Sequence, residues 1–376
     1  MLFIEDSYYI DNMFGICRNT CENRFLSVVM TTIRRKRPFI NREPHFTLST
    51  LQSGIAQVWL QTPPCRYSQM GRCTVCNYWK GNRIPNVLDE LTENCVIPED
   101  CDKLLINTCG SCLDPYELSL NDQEKLWNWI NKQNCQVVIL ETHANTLKPD
   151  VVAHIRERIP NKRLYFEIGI ESVSRDILFY CLNKDMPEIP LAKIVAFVHG
   201  FDGKLIVNVT LGAPFLNQKE QVNDAINSIQ TLMEMGVDYI TLLPINLKPY
   251  TLTELMYEKG LYELVTGNMI IDVLSGIAPK YLPKVDLSWY GDRSEAGLVT
   301  PNYCPKCQGN LVQMIGSYNM TVSEDERKRA LEKMKTEKCT CQLAMPSFYD
   351  MEFSKRIEYG YQNIKKWIKE YKEDIN

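Results

Sequence analysis

Apolar runs rich in β-branched residues recur along the chain, each closed by turn or cap residues and followed by a stretch with helical periodicity. They are QVWLQT (57–62), KLLINT (103–108), QVVILET (136–142), RLYFEIGIES (163–172), KLIVNVTLGAP (204–214) and DYITLLPIN (238–246). Between them, PYELSLNDQEKLWNWINKQ (115–133) and NQKEQVNDAINSIQTLMEMG (217–236) carry helical periodicity, and Gly236 stands where a helix stop belongs. Continuous apolar strands joined by helices imply a parallel sheet covered by helices. Right-handed crossovers curl six such units into a partial (β/α)6 barrel of the α/β class. The expected organisation is an N-terminal extension over residues 1–56, the barrel over 57–285 and a C-terminal lobe over 286–376. The functional edge of such a sheet is the carboxyl end of its strands.

Composition narrows the class. At 376 residues and 45% hydrophobic content the chain can bury a large core. No stretch of eighteen or more apolar residues occurs, and MLFIEDSYYIDNMFGICRNT at the start is acidic and polar where a secretion signal is basic and then apolar. The expectation is a cytoplasmic protein with no membrane contact. Fifteen cysteines in a large chain of this kind point to metal chemistry rather than a disulfide scaffold. A formal net charge of -4 gives no general attraction to nucleic acid. The one dense basic run, Arg34, Arg35, Lys36 and Arg37, reads as a solvated loop and, for a nucleic-acid substrate, as a docking surface.

Two cysteine constellations change the picture further. PPCRYSQMGRCTVCNYW (63–79) holds Cys65, Cys73 and Cys76 in the loop after the first expected strand, at the functional edge. Three thiolates can hold three corners of a four-iron four-sulfur cluster and leave one iron open for chemistry. A zinc knuckle needs a fourth ligand nearby, and Cys95 and Cys101 lack paired spacing. In the tail, YCPKCQG (303–309) and KCTCQ (338–342) supply Cys304, Cys307, Cys339 and Cys341 as two close pairs, which suit a structural zinc ion or an auxiliary iron–sulfur cluster. Beyond them, apolar residues at 353, 357, 361, 364, 368 and 371 form an amphipathic stripe suited to packing on the barrel.

The Cys-x7-Cys-x2-Cys spacing resembles that of radical S-adenosylmethionine enzymes of the Elongator-like type, and within them the archaeosine-synthase radical partner group. INTCGSCLDPYEL (106–118), FEIGIESVSRDILFYCLNKDM (166–186), LGAPFLNQKEQVNDAINS (211–228) and PINLKPYTLTELMYEKGLY (244–262) are similar to later segments of that barrel, so the resemblance covers roughly residues 57–275. It implies that the open iron chelates S-adenosylmethionine, with Gly110 and Ser111 near its methionine amino group and Glu171 on the ribose or amino group. It also implies Lys184 on the methionine carboxylate, Asn208 on a ribose hydroxyl and Leu243, with Leu242 and Pro244, beside the adenine. Val75 stands where relatives often carry an aromatic ring, and Glu141 and His143 in LETHAN stand where relatives tend to read Glu-x-Arg-Pro. No residue is assigned as a catalyst.

The resemblance implies reductive cleavage of S-adenosylmethionine to a 5′-deoxyadenosyl radical that takes a substrate hydrogen and drives carbon–nitrogen cleavage or rearrangement. By analogy the substrate is a lysine adduct of a 7-deazaguanine in transfer RNA, with a flavodoxin- or ferredoxin-type electron donor and a partner enzyme that installs the adduct. A small molecule in natural-product or amino-acid tailoring is the alternative substrate. A reading of another class is a non-catalytic iron–sulfur or zinc module that binds a partner, and cleavage of S-adenosylmethionine separates the two.

Overall fold

The computed structural model describes residues 22–35, 45–51, 54–78, 87–288, 311–338 and 347–373. The six expected strands all form, as β2 (Ile55–Leu60), β3 (Lys103–Asn107), β4 (Val137–Thr142), β5 (Arg163–Glu171), β6 (Lys204–Leu211) and β7 (Tyr239–Pro244). Two further strands lie at the sheet edges, β1 (Phe46–Thr50) and β8 (Val285–Leu287). The spatial order is the chain order from β1 to β8, with β1 antiparallel to β2 and every later pair parallel. β8 does not close on the opposite edge, so the sheet is an open, curled half-barrel. β1 escapes the hydrophobic pattern because FTLST is largely exposed, and three residues of β8 are too few to make a pattern at all.

The helices are α1 (Arg24–Arg34), α2 (Arg66–Gln69), α3 (Val87–Asn94), α4 (Leu120–Asn131), α5 (Pro149–Arg158), α6 (Leu191–Gly200), α7 (Gln218–Glu234), α8 (Leu252–Glu258), α9 (Gly267–Gly276), α10 (Leu311–Asn319), α11 (Glu324–Thr336) and α12 (Phe353–Glu373). α7 starts where Asn217 and Glu220 form a reciprocal capping box, and the chain leaves it through Gly236 at φ +92°.

Strand alternation sorts the side chains. Val58, Leu60, Leu104, Ile106, Val138, Leu140, Phe166, Ile168, Val207, Val209 and Leu242 face the helices in one continuous core. At roughly 1.5–3 kcal/mol per fully buried aliphatic or aromatic side chain, this face is the main source of stability. The opposite, concave face has only a small apolar floor of Leu105, Val137 and Ile139, flanked by Ile55, Tyr165 and Ile206.

A second apolar cluster sits over the carboxyl ends of the strands. Leu26, Val29, Met30 and Ile33 of α1 meet a π-helical turn (Ile177–Leu182), Leu252, Leu255 and Met256 of α8, and Phe353, Ile357, Tyr361, Ile364 and Ile368 of α12. The α12 stripe therefore packs on the barrel as its periodicity predicts. Arg356 anchors it by pairing with Glu220 at the start of α7 and donating to Phe215 O at 2.8 Å. Residues of the expected extension supply β1 and α1, while Met314, Ile315, Tyr318, Leu331 and Met334 of α10 and α11 join the main core. Among the described residues no helix is long and apolar enough to cross a membrane.

Candidate functional site

The loop after β2 turns at Cys65, whose backbone N–H is bonded to Tyr78 O at 2.9 Å and which caps the short helix α2. Cys73 sits in the left-handed region at φ +61°, which a non-glycine residue adopts only when its surroundings impose it. The clamp comes from two sides. Cys73 N donates to Asn183 O at 3.4 Å, Thr74 N to Leu182 O at 3.1 Å and Thr74 Oγ1 to Cys181 O at 2.7 Å, so the end of the π-helical turn holds one side. Asn183, itself at φ +49°, donates from Nδ2 to Gly71 O at 3.1 Å.

On the other side the guanidinium of Arg34, 1% exposed, donates to Ser68 O, to Arg72 O at 2.9 Å, to Cys73 O at 2.8 Å and to Cys76 O at 2.9 Å. Arg34, the first member of the basic run, is thus not part of a solvated loop or docking surface: it is buried as the clamp of the cysteine loop. Charge patterning alone gives no sign of this, because a basic run looks the same whichever member turns inward. Lys36 and Arg37 lie outside the described residues.

The thiols converge on a tight cradle. A Cβ on Gly110 would lie 2.8 Å from Cys65 Cβ, 2.9 Å from Cys65 Sγ and 2.5 Å from Glu117 Oε1, so only glycine lets the loop after β3 close on Cys65. Burial, then the Cys73, Glu117 and Cys76 charges, push the Cys65 thiol far above its ordinary range. Burial also raises Cys73, against the pull of Lys184 and Arg34. Two thiols raised by burial and by their neighbours' charges, with a third thiol and two cations beside them, fit a bound metal cluster, which takes thiolates as ligands and supplies the missing positive charge.

Around them stand groups of opposite character. His143 Nε2 is 3.3 Å from Cys65 Sγ and its ring packs on Tyr67 with centroids 4.9 Å apart. Burial, then the Lys184 charge, lower its pKa to about 3, so the imidazole is neutral. Cys65, Glu117 and His143 bring their ligand atoms within 4.8 Å of one another. Glu117 accepts from Ser111 N at 2.9 Å and its pKa is raised to about 8, chiefly by burial.

At the end of β5 the Lys184 ammonium bonds Glu171 Oε1 at 2.6 Å, and Thr210 Oγ1 donates to Glu171 Oε2 at 2.5 Å. Glu171 holds φ +68° where the β5–β6 register shifts, which turns its carboxylate toward the lysine. A Cβ on Gly169 would lie 2.8 Å from Lys184 Nζ, so this glycine makes room for the pair. Burial alone would lower the lysine, but the Glu171 and Cys73 charges outweigh it and hold the ammonium above its ordinary range. Burial would raise Glu171, yet Lys184 and Thr210 keep it below the usual carboxylate range.

Archaeosine synthase subunit beta of Thermococcus kodakarensis is 24% identical over 213 residues, which span 54% of this chain and 65% of that protein, just under two thirds of its length. The chain resembles archaeosine synthase subunit beta. An uncharacterized protein of Methanocaldococcus jannaschii is 22% identical over 279 residues, 70% of this chain and 75% of its own. No family model matches. Among solved structures, queuine lyase from Clostridium spiroforme bound to SAM and queuine shares 17% identity at a TM-score of 0.39, covering 53% of this chain and 79% of that one. The Elp3 of Methanocaldococcus infernus shares 14% at a TM-score of 0.42, covering 64% and 57%.

The residues expected from the sequence divide into those gathered at the mouth of the half-barrel and those placed elsewhere. Cys65, Cys73, Cys76, Gly110, Glu171 and Lys184 share the mouth, and Leu243 lies on the same lumen-facing register as Thr210, beside which it pairs. Leu242 points the other way, into the helix-covered core. The Ser111 hydroxyl is fully buried in a cluster with Thr142 Oγ1 at 2.6 Å and Thr146 Oγ1 at 2.8 Å, so only its backbone faces Glu117. Asn208 lies deeper, paired with Gly169 and bonded to Glu167. Cys304, Cys307, Cys339 and Cys341 lie outside the described residues. Arg34, Asn183, Glu117 and Glu167 were not foreseen. Only Glu167 had a legible signal, a carboxyl two residues before Gly169 and four before Glu171 in a strand whose alternate residues are apolar.

Proposed function

We propose that the chain is a radical S-adenosylmethionine enzyme acting on a 7-deazaguanine-type nucleoside of transfer RNA. The observation that carries the reading is the meeting of a clamped three-cysteine loop with a buried Lys184–Glu171 pair at the carboxyl end of the same parallel sheet. Cys65, Cys73 and Cys76 would hold a four-iron four-sulfur cluster and leave one iron without a protein ligand. When bound, such a cluster supplies one-electron reduction of a sulfonium, which yields a carbon radical able to abstract hydrogen.

The chain's own residues bind, orient and shield. Lys184 offers a fixed positive charge to a carboxylate, and Glu171 with Thr210 sets its direction, so the ligand meets a preformed partner rather than a flexible one. Arg34 fixes the carbonyls of both Cys73 and Cys76, which keeps the two thiols in one orientation. Neutral His143 beside Cys65 adds a hydrogen bond at sulfur without adding charge. The apolar cap of α1, α8 and α12 keeps water from the mouth. The similarity to archaeosine synthase subunit beta supports a partner subunit, and the proposal adds an adduct-bearing nucleoside substrate and a flavodoxin- or ferredoxin-type electron donor. The four tail cysteines would hold zinc.

The test is anaerobic reconstitution, reduction, and assay of 5′-deoxyadenosine with transfer RNA that carries or lacks the lysine adduct. The expected result is 5′-deoxyadenosine release and nucleoside conversion with the adduct-bearing RNA alone. Release without conversion of any RNA moves the substrate to a small molecule, and no release under any condition leaves a non-catalytic metal module.

A further inference from the structure

Below the mouth, the concave face carries a row of polar side chains that packing does not need. Leu105, Ile139, Tyr165 and Ile206 floor the lumen with apolar surface, and one step nearer the mouth on the same strands stand Asn107, Glu141, Glu167 and Asn208. Glu141 and Glu167 are direct register partners on β4 and β5, an arrangement of like charges that costs stability. Both are half-buried on the lumen face.

The amides around them all point their hydrogens one way. Gln57 Nε2 donates to Asn107 Oδ1 at 2.7 Å, Asn107 Nδ2 donates to Glu141 Oε2, and Asn208 donates to Glu167. Each of these amides thereby spends one of its two hydrogens within the row. The groups left over include a set of acceptors on three strands: the remaining carboxyl oxygens of Glu141 and Glu167, and Asn208 Oδ1, which has no hydrogen-bond partner although the residue is only 7% exposed. A buried acceptor without a partner costs about 1–3 kcal/mol, and is retained where a ligand completes it.

We propose that this row is a recognition site for a neutral planar group with adjacent N–H donors, of the kind on the Watson–Crick edge of a guanine-type base. The inference rests on the function proposed above and names the part of the substrate that the lumen reads. The acceptors on β4 and β5 are register neighbours about 4.8 Å apart and Asn208 on β6 stands one step nearer the mouth, beside Gly169, a spread that suits an edge with several donors rather than a point charge. Lys248 and Lys184 already act on Glu141, so the row does not call for a further cation. A ring N–H and an exocyclic amino group side by side would satisfy a carboxylate bidentately and leave a hydrogen for its neighbour.

The test is equilibrium binding to the reconstituted protein with S-adenosylmethionine present, using 7-deazaguanine, 7-deazahypoxanthine, which lacks the 2-amino group, and free lysine. The expected order is 7-deazaguanine at least ten-fold tighter than 7-deazahypoxanthine, with lysine weaker than both. Glu167→Gln, which replaces one acceptor with a donor, should weaken 7-deazaguanine at least ten-fold while iron content and S-adenosylmethionine binding stay unchanged. Asn208→Ala, with circular dichroism to confirm folding, should narrow the discrimination. Equal binding of the two bases, a Glu167→Gln variant that binds 7-deazaguanine as the parent does, or tight binding of lysine alone overturns the inference. Adduct conversion without base discrimination leaves the proposed function standing and removes only this reading, whereas base discrimination without S-adenosylmethionine cleavage does the reverse.

Discussion

Along β4, β5 and β6, Val138, Leu140, Phe166, Ile168, Val207 and Val209 alternate with Ile139, Glu141, Glu167, Gly169, Asn208 and Thr210. The first set meets helices and is almost uniformly apolar. The second lines the lumen, and after one apolar layer it becomes polar and partly unsatisfied. One set of strands therefore does two jobs that oppose each other energetically, and the two-residue period keeps them apart. The helix-covered face supplies the stability that the lumen face spends on like charges, left-handed residues and an orphaned acceptor.

The sharpest separation of the two faces concerns metal. Replacing Cys65, Cys73 and Cys76 by alanine should take iron from about four per chain to none after reconstitution. The thermal unfolding of the metal-free protein should change little, because the thiols serve the lumen side. Iron and sulfide analysis with the visible spectrum reads this, and full retention of iron refutes the assignment.

Next in size, Phe166→Ala, at 0% exposure, should cost roughly 3–5 kcal/mol in denaturant titration. Glu167→Leu on the adjoining position should cost less than about 1 kcal/mol or stabilise, since it removes a buried like-charge neighbour. A Glu167→Leu penalty equal to that of Phe166→Ala would show that the lumen row is structural.

Lys184→Met should weaken S-adenosylmethionine binding on the order of 10–100-fold, corresponding to about 1.4–2.7 kcal/mol for a charge-assisted contact. Iron content should persist. Lys184→Arg should recover part of the affinity, and loss of iron in both variants would instead make the lysine a support of the cysteine loop.

The last effect is on stability alone and concerns Asp224, a carboxyl beside the Glu171 turn. Asp224 accepts from Ser172 Oγ at 2.8 Å, and burial raises its pKa to about 7. Its folded value lies above its unfolded one near 4, so the folded chain binds the extra proton between those values. Stability contributed by this group is present at low pH and declines as pH rises toward 7. Asp224→Asn should flatten the decline of melting temperature between pH 5 and 8, with a gain on the order of 1–3 kcal/mol at the upper end. An unchanged slope would mean that the carboxyl reaches water.

The strands from β2 to β7, α7 with its stop at Gly236 and the α12 stripe were legible because each repeats a period over many residues. The cysteine loop was legible because its spacing is chemical rather than statistical. What escaped depends on contacts between distant residues. Nothing local marks Arg34 as the inward-turned member of a basic run, or Asn183 as a left-handed residue that grips a loop over a hundred residues earlier. Glu167 was hidden inside RLYFEIGIES, read as one apolar run, although its alternation with Phe166 and Ile168 assigns it to the other face. The Ser111 hydroxyl looked available because a serine after a glycine suggests a ligand contact, and the Thr142 and Thr146 hydroxyls that occupy it come from β4 and the loop beyond.

The clamp on the cysteine loop also fixes a chronology. Asn183 accepts from Asn23 N at 3.1 Å, Asn23 donates from Nδ2 to Tyr361 Oη at 2.9 Å, and that hydroxyl in turn donates to Tyr180 O at 2.7 Å. Residues near 23, 180 and 361 must all be present before the grip on Cys73 is complete. A ribosome adding about 5–20 residues per second releases the cysteines long before it releases Tyr361. During that interval the thiols wait in an unfinished pocket, open to stray metals and oxidants.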